Sequence, residues 1–306
     1  MRIVFAGTPA NAGVVLSALV SAGLDIVGVL TRRDAPIGRK ATLNRSPVAE
    51  VAEALGIRVL KANHIGPVEI SWLNSLEPDL GVIVAYGSIL KREALQVPKR
   101  GWVNLHYSLL PKHPGASPVQ QTILNGDQTS GVTVFMLDEG VDSGPVLAQT
   151  ETEVGERVRS EELLVDLTAI GSKLLIDTLR NFDNIDPIPQ EKQALLANSY
   201  AKKISREDAR IDFSQTAIEV DRLVRAMYPE PMAWCEFNAL ALRVLEGEPF
   251  ESTALRVGEV QVIDSKVLVG CGEGALQLIS VQPSGRTKMS GPDWFRGLQA
   301  DTVILS

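Results

Sequence analysis

The chain has 306 residues, enough for two domains, and 45% of them are apolar, which supports ordinary packed cores. Lys and Arg number 30 against 37 Asp and Glu, a net charge of −7, so a generally basic nucleic-acid binder is excluded and any RNA contact needs a local patch. Cys235 and Cys271 form neither zinc spacing nor a disulfide framework, no apolar run spans a bilayer, and Met1 leads into a strand-like run without a signal peptide. The expectation is a soluble cytoplasmic protein with no metal.

Residues 2–6 read as a buried first strand, Gly7-Thr8-Pro9 as a turn, and residues 11–22 carry helical periodicity. This strand-turn-helix opens a doubly wound sheet, but the turn lacks the later glycines of a dinucleotide fingerprint. Pro9 also has no N–H to offer a phosphate, so no nucleotide is assigned here. Residues 25–30 form the second strand. The next stretch, residues 31–45, holds five cations and one Asp with Gly and Pro, and reads as a long mobile loop. It exceeds the usual strand-to-helix connection. Either it is a solvated surface loop, or its Arg39, Lys40 and Arg45 neutralise phosphates. Ser46-Pro47 then gives an N-cap and a first-turn proline for a helix through Leu55.

Residues 57–60 are a short strand, His64 is a surface residue, and residues 70–76 are helical. Residues 80–85 form a buried strand that ends at Tyr86-Gly87, on the sheet edge where open α/β sheets bind ligands. The apolar run Trp102-Val103-Asn104-Leu105 leads to His106, one of three histidines. Two residues apart on a strand, Asn104 and His106 share a face. A second apolar run, residues 132–137, precedes the Gly-rich bend that holds Asp142. If that run pairs beside the first, a carboxylate comes near the imidazole. An amide can hydrogen-bond a developing oxyanion, an imidazole can carry a proton near neutral pH, and a carboxylate can orient it. On the residues alone, His106 is equally a satisfied strand-end histidine and Asp142 a turn former. His113 reads as a loop contact, and Ser117-Pro118 opens a helix through Asn125 with a second N-cap.

Residues 131–137 and 144–151 are strands flanking the bend, and a helix runs from Ser160 to about Leu179. Residues 181–198, rich in Asp, Pro and Gln, read as a linker. After a helix over residues 217–227, strands are expected at 234–237, 240–246, 254–263, 266–270 and 275–281, a spacing that suggests a small β-barrel. From residue 200 onward the chain carries 12 Lys/Arg and 15 Asp/Glu, so this barrel binds RNA through a patch at most.

The Asn104-x-His106 pair, the Ser108-Leu109-Leu110-Pro111 run, Gly115-Ala116, Gly126-Asp127 and Asp142 together resemble the signature of the 10-formyltetrahydrofolate-dependent formyltransferases. The basic loop, the Ser199-to-Ile204 segment and the C-terminal motif around Arg286 and Lys288 are similar to those of the methionyl-tRNA formyltransferase family, and the resemblance covers essentially the whole chain. It implies a doubly wound, mostly parallel Rossmann-like α/β sheet of the formyltransferase fold over residues 1–181. A linker would follow over 182–203, and an OB-like β-barrel that binds tRNA over 204–306.

The resemblance also implies roles. Asn104, His106 and Asp142 would be catalytic. Tyr86, Gly87, Ser108, Leu109, Leu110, Pro111 and Asp138 would surround 10-formyltetrahydrofolate. Arg39, Lys40, Arg45, Lys202, Lys203, Arg286 and Lys288 would contact methionyl-initiator tRNA. No metal and a monomer are expected. Two positions depart from the family pattern, Pro114 in the acceptor-side loop and Glu230 where an aromatic is common. The rivals are transfer to a small amine, such as an amino sugar nucleotide or glycinamide ribonucleotide, and a non-catalytic RNA-binding module. The basic loop and the barrel weigh against the first, and the intact Asn104, His106 and Asp142 set against the second.

Overall fold

The computed structural model describes residues 1–37, 42–190, 200–251, 255–298 and 303–306. They pack as two units, one of Met1–Gly115, Thr129–Glu153 and Leu164–Tyr200, the other of Ala116–Gln128, Val154–Leu163 and Ala201–Ser306.

The chain order begins β1 (Arg2–Gly7), α1 (Ala10–Ser21), β2 (Asp25–Thr31), β3 (Ala35–Ile37), β4 (Thr42–Asn44), α2 (Pro47–Ala54) and β5 (Val59–Lys61). It continues with α3 (Pro67–Ser75), β6 (Leu80–Val84), α4 (Arg92–Leu95), β7 (Trp102–His106), α5 (Pro118–Asn125), β8 (Thr129–Met136), β9 (Val146–Glu153) and α6 (Ser160–Arg180). The seven-stranded sheet runs β5-β2-β1-β6-β7-β8-β9. Its first five strands are parallel, and β8 and β9 are antiparallel. β1 and β6 are buried almost residue by residue, as strands covered on both faces must be. Strand order reverses between β1 and β6, so the carboxyl ends of β1, β6 and β7 form the switch point where such sheets bind ligands.

β7 is seated by Trp102. Its indole N–H donates 2.9 Å to the Ala94 carbonyl, and its ring lies flat on Gly81. A Cβ at Gly81 would sit 2.1 Å from that ring, so only glycine leaves room for it. That seating fixes the strand which carries Asn104 and His106.

The second unit continues with α7 (Ala217–Ala226), β10 (Trp234–Phe237), β11 (Leu240–Phe250), β12 (Glu259–Ile263), β13 (Lys266–Gly270), β14 (Ala275–Pro283), β15 (Met289–Ser290), α8 (Gly291–Arg296) and β16 (Val303–Ile304). A capping box, Thr216 with Glu219, starts α7. The antiparallel sheet runs β10-β11-β14-β13-β12-β16, with β15 on β14. Ser306 closes the ring: the Glu236 N–H donates to its carbonyl at 2.6 Å, and its own N–H donates to the Glu236 carbonyl at 3.1 Å. Closure removes the free edges that would invite association. Val244, Val269, Leu276 and Trp294 lie in the core beneath. The Rossmann-like sheet and the barrel are those the sequence led us to expect.

Several local expectations are corrected. Residues 31–45 are not all loop, because β3 and β4 pair as a hairpin whose tip lies outside the described residues. Ser46 caps its helix, accepting from the Ala49 N–H, but Ser117 makes no side-chain cap and has φ −135°. The strand expected at 254–263 begins at Glu259, and α3 begins at Pro67. Part of the expected linker is ordered structure: Ile188 and Val146 exchange two backbone hydrogen bonds, each 2.8 Å.

Candidate active site

β7 pairs antiparallel with β8, His106 opposite Thr133 and Asn104 opposite Phe135. The chain leaving β8 turns through the bend 137–145 and brings Asp142 back over the end of β7. The imidazole Nδ1 of His106 lies 3.6 Å from Asp142 Oδ2, and both side chains are largely buried. The other ring nitrogen, Nε2, is 3.0 Å from the His113 carbonyl oxygen. A carbonyl only accepts, so Nε2 carries the hydrogen and Nδ1 is the nitrogen left to exchange a proton toward Asp142. The Phe135 ring stands edge-on to the imidazole at 6.4 Å. No described residue takes a hydrogen bond from the Asn104 amide, which sits partly buried one strand-repeat from His106.

Asp142 is held on several sides. Its Oδ2 accepts from the Gly115 N–H at 2.7 Å. Its backbone has φ +50°, the left-handed region seldom adopted by residues with side chains. Gly144 crosses so close to β8 that a Cβ would meet the Met136 carbonyl at 1.8 Å. The Gln190 amide nitrogen donates to the carbonyls of both Asp142, at 2.9 Å, and Gly144, at 2.8 Å.

The Ser108-to-Pro111 turn is fixed by a buried hub. The Thr133 hydroxyl donates to the Ser108 carbonyl at 2.7 Å and accepts from the Leu110 N–H at 3.0 Å. Gln149 donates to the Leu110 carbonyl at 2.7 Å and to the Thr133 hydroxyl at 2.9 Å. Ser108 donates 2.6 Å to the Lys112 carbonyl, and the peptide Leu110-Pro111 is cis. Asp138 is exposed and accepts from Gly140 N–H and the Ser143 hydroxyl, each at 2.9 Å, so it braces the bend. The Tyr86 ring is core rather than wall, 1% exposed, its hydroxyl donating 2.8 Å to the Ala62 carbonyl. Burial pushes that phenol up to about 12. Gly87, three residues past the end of β6, is exposed at φ +79°.

Of the cations, Arg39 and Lys40 lie outside the described residues. Arg45 is exposed and pairs with Glu53 at 2.6 Å, and Lys202 pairs with Asp208. Lys203, Arg286 and Lys288 are exposed, with no acidic partner among the described residues. Exposed pairs such as Arg45–Glu53 and Lys202–Asp208 are worth about 0–1 kcal/mol. Sequence reading missed Thr133, Gln149 and Gln190, whose side chains hold main-chain groups and which carry no motif of their own, and it gave Gly115 only as part of the signature, not as the N–H that holds Asp142. It also missed Arg206 and Arg210, whose guanidinium carbons stand 4.9 and 5.4 Å from the centroid of the Trp234 ring. Among the described residues no group of three or more His, Cys, Asp or Glu is placed to hold a metal ion. No helix among them is long and apolar enough to cross a membrane.

The family described as formyl transferase matches residues 1–179, and the formyl transferase C-terminal domain matches residues 203–299. The methionyl-tRNA formyltransferase of Paenarthrobacter aurescens is 42% identical, covering 100% of this chain and 99% of its own length. That of Thermobifida fusca is also 42% identical, over 97% of this chain and 96% of its own length. Among solved structures, the sugar 3N-formyl transferase WlaRD superposes with a TM-score of 0.66 at 17% identity, over 94% of this chain and 99% of its own. The phosphoribosylglycinamide formyltransferase of Bacillus halodurans gives 0.52 at 21% identity, over 60% of this chain and 95% of its own. These structural likenesses speak to fold. WlaRD matches over nearly the whole chain, so a C-terminal domain does not by itself separate tRNA from sugar acceptors.

Proposed function

The chain belongs to the methionyl-tRNA formyltransferase family, and from that premise we propose that it transfers the formyl group of 10-formyltetrahydrofolate to the α-amino group of methionyl-initiator tRNA. The observation that carries the reading is the 42% identity to methionyl-tRNA formyltransferases over the full length of both chains. The products are N-formylmethionyl-tRNA, for translation initiation, and tetrahydrofolate. We place the enzyme in the cytoplasm, acting as a monomer.

The amine nitrogen attacks the formyl carbon, a C–N bond forms, and the bond from that carbon to folate N10 breaks. One proton leaves the amine and one must reach N10. The Asn104 amide, free among its described neighbours, donates to the oxyanion of the tetrahedral intermediate. His106 handles the proton at Nδ1, because Nε2–H is committed to the His113 carbonyl. The oxyanion contact that the family resemblance gives His106 therefore also has to come from Nδ1–H. Asp142 faces that nitrogen at 3.6 Å, just beyond direct hydrogen-bond range, so a small approach when substrate binds completes the contact. The Ser108-to-Pro111 turn, Gly87 and the bend braced by Asp138 form the folate side. For Tyr86, whose ring is buried, the contribution is its main chain. Arg39, Lys40, Arg45, Lys202, Lys203, Arg286 and Lys288 are assigned to tRNA phosphates and the acceptor end.

The test is a formyl-transfer assay with charged initiator tRNA beside an amino sugar nucleotide and glycinamide ribonucleotide. Transfer to the tRNA is expected, and preference for either small amine would overturn the assignment.

A further inference from the structure

The catalytic carboxylate sits on a bend that, among the described residues, is braced from within only at Asp138, which takes the Gly140 N–H and the Ser143 hydroxyl. Asp142 has φ +50°, and its side chain is tied to the fold by one backbone N–H, that of Gly115. The other tether comes from 48 residues further along the chain. Past α6 the chain runs back beside β9, Ile188 pairing with Val146, and delivers the Gln190 side chain onto the bend. Both hydrogens of its amide nitrogen are used, one on the Asp142 carbonyl and one on the Gly144 carbonyl, bracketing Ser143. Both partners can only accept, so the amide cannot be turned over. Its oxygen has no partner among the described residues, so the contacts that tie this side chain to the bend are its two donors.

We propose that Gln190 is a positioning residue of the transfer reaction, fixing the Asp142 bend and through it the approach of Asp142 to His106. The inference rests on the catalytic set assigned above. It extends the active site into a stretch that reads as linker. Gln190 touches no reacting atom, so its effect passes entirely through Asp142.

Four variants test it against wild type: Gln190→Met, Gln190→Glu, Asp142→Ala, and Asp142→Ala combined with Gln190→Met. Met keeps length and apolar packing but has no donor. Glu keeps size and polarity but turns an oxygen toward two carbonyls, so a packing defect in one variant does not decide the outcome. Displacing a catalytic group by about 1 Å can cost up to about 10²-fold. Both single changes at Gln190 should therefore lower kcat about 10–100-fold and leave KM for folate and for tRNA within about twofold. In the Asp142→Ala background, Gln190→Met should change kcat by no more than about twofold, because coupled groups are not additive. Wild-type kcat in Gln190→Met and Gln190→Glu, beside an impaired Asp142→Ala, would overturn the inference and leave the catalytic set standing. The full single-variant loss reappearing in the double variant would also overturn it, as the mark of a merely structural role. Normal turnover in Asp142→Ala would remove the catalytic set and the inference with it.

Discussion

His106 presents Nδ1 to the Asp142 carboxylate at 3.6 Å while its Nε2–H is held by the His113 carbonyl at 3.0 Å. The ring is therefore oriented by the main chain, and the carboxylate is placed at the one nitrogen left to exchange. Asp142 is in turn held by the Gly115 N–H, so the loop at Gly115 and the bend that carries Asp142 meet at that carboxylate oxygen.

From this pairing, His106→Ala and Asp142→Ala should each lower turnover on the order of 10²–10⁴-fold, the usual range for a positioned acid or base. The double variant should fall little further. Steady-state kinetics with charged initiator tRNA measure this, and near-normal turnover in His106→Ala would remove the mechanism.

The Thr133 hub gives a second expectation. Thr133→Val keeps shape but deprives the Leu110 N–H and the Gln149 amide of an acceptor, and the Ser108 carbonyl of a donor, in a fully buried setting. A buried group left unsatisfied costs about 1–3 kcal/mol. Chemical denaturation should show a loss of that size, and affinity for a 10-formyltetrahydrofolate analogue should fall with it. An unchanged folate affinity would mean that the Ser108-to-Pro111 turn does not shape the pocket.

The cysteines should be chemically silent in the folded protein. Burial pushes the Cys235 thiol up to about 12 and the Cys271 thiol up to about 11. A raised value leaves the neutral thiol dominant at pH 8, and the thiolate is the reactive form. A thiol reagent should therefore label both only after denaturant is added. Fast labelling of native protein would contradict the packing described for the barrel.

What was legible in the sequence follows physical range. The two-residue period of a strand puts Asn104 and His106 on one face and a Gly-rich bend after an apolar run holds Asp142, but that they act together is what the resemblance implies. Their meeting depended on β7 and β8 pairing, which they do. The barrel strands were found by turn spacing, but its closure through Ser306 rests on two backbone bonds at the chain's end. Gln190 stayed invisible because a Pro- and Asp-rich stretch reads as linker whether or not one amide reaches across the fold. The β3–β4 hairpin was missed because three-residue strands carry too few residues for a periodic signal. The resemblance puts Tyr86 beside the folate, and its ring turns into the core, so any such contact falls to its main chain.

Arg39 carries the expectation on the acceptor. A guanidinium offers a planar donor fork that an ammonium lacks. If Arg39 makes an oriented contact with the acceptor end, Arg39→Lys and Arg39→Ala should both depress transfer to tRNA, with folate affinity unchanged. If it supplies only charge, Arg39→Lys should be nearly silent and Arg39→Ala should weaken binding with a shallower salt dependence. We expect the oriented contact, read from transfer rates across a salt series. A silent Arg39→Ala would sink the clamp and favour a small acceptor.

The most direct measurement is single-turnover formyl transfer from 10-formyltetrahydrofolate, comparing methionyl-initiator tRNA with an amino sugar nucleotide and glycinamide ribonucleotide, in wild type and Asn104→Ala. The account predicts formylmethionyl-tRNA from the wild-type protein, at least about 100-fold slower transfer to either small amine, and loss of about 10²–10³-fold in the variant, the range for removing one oxyanion donor. A small amine formylated faster than the tRNA, or an Asn104→Ala protein as fast as wild type, would contradict it.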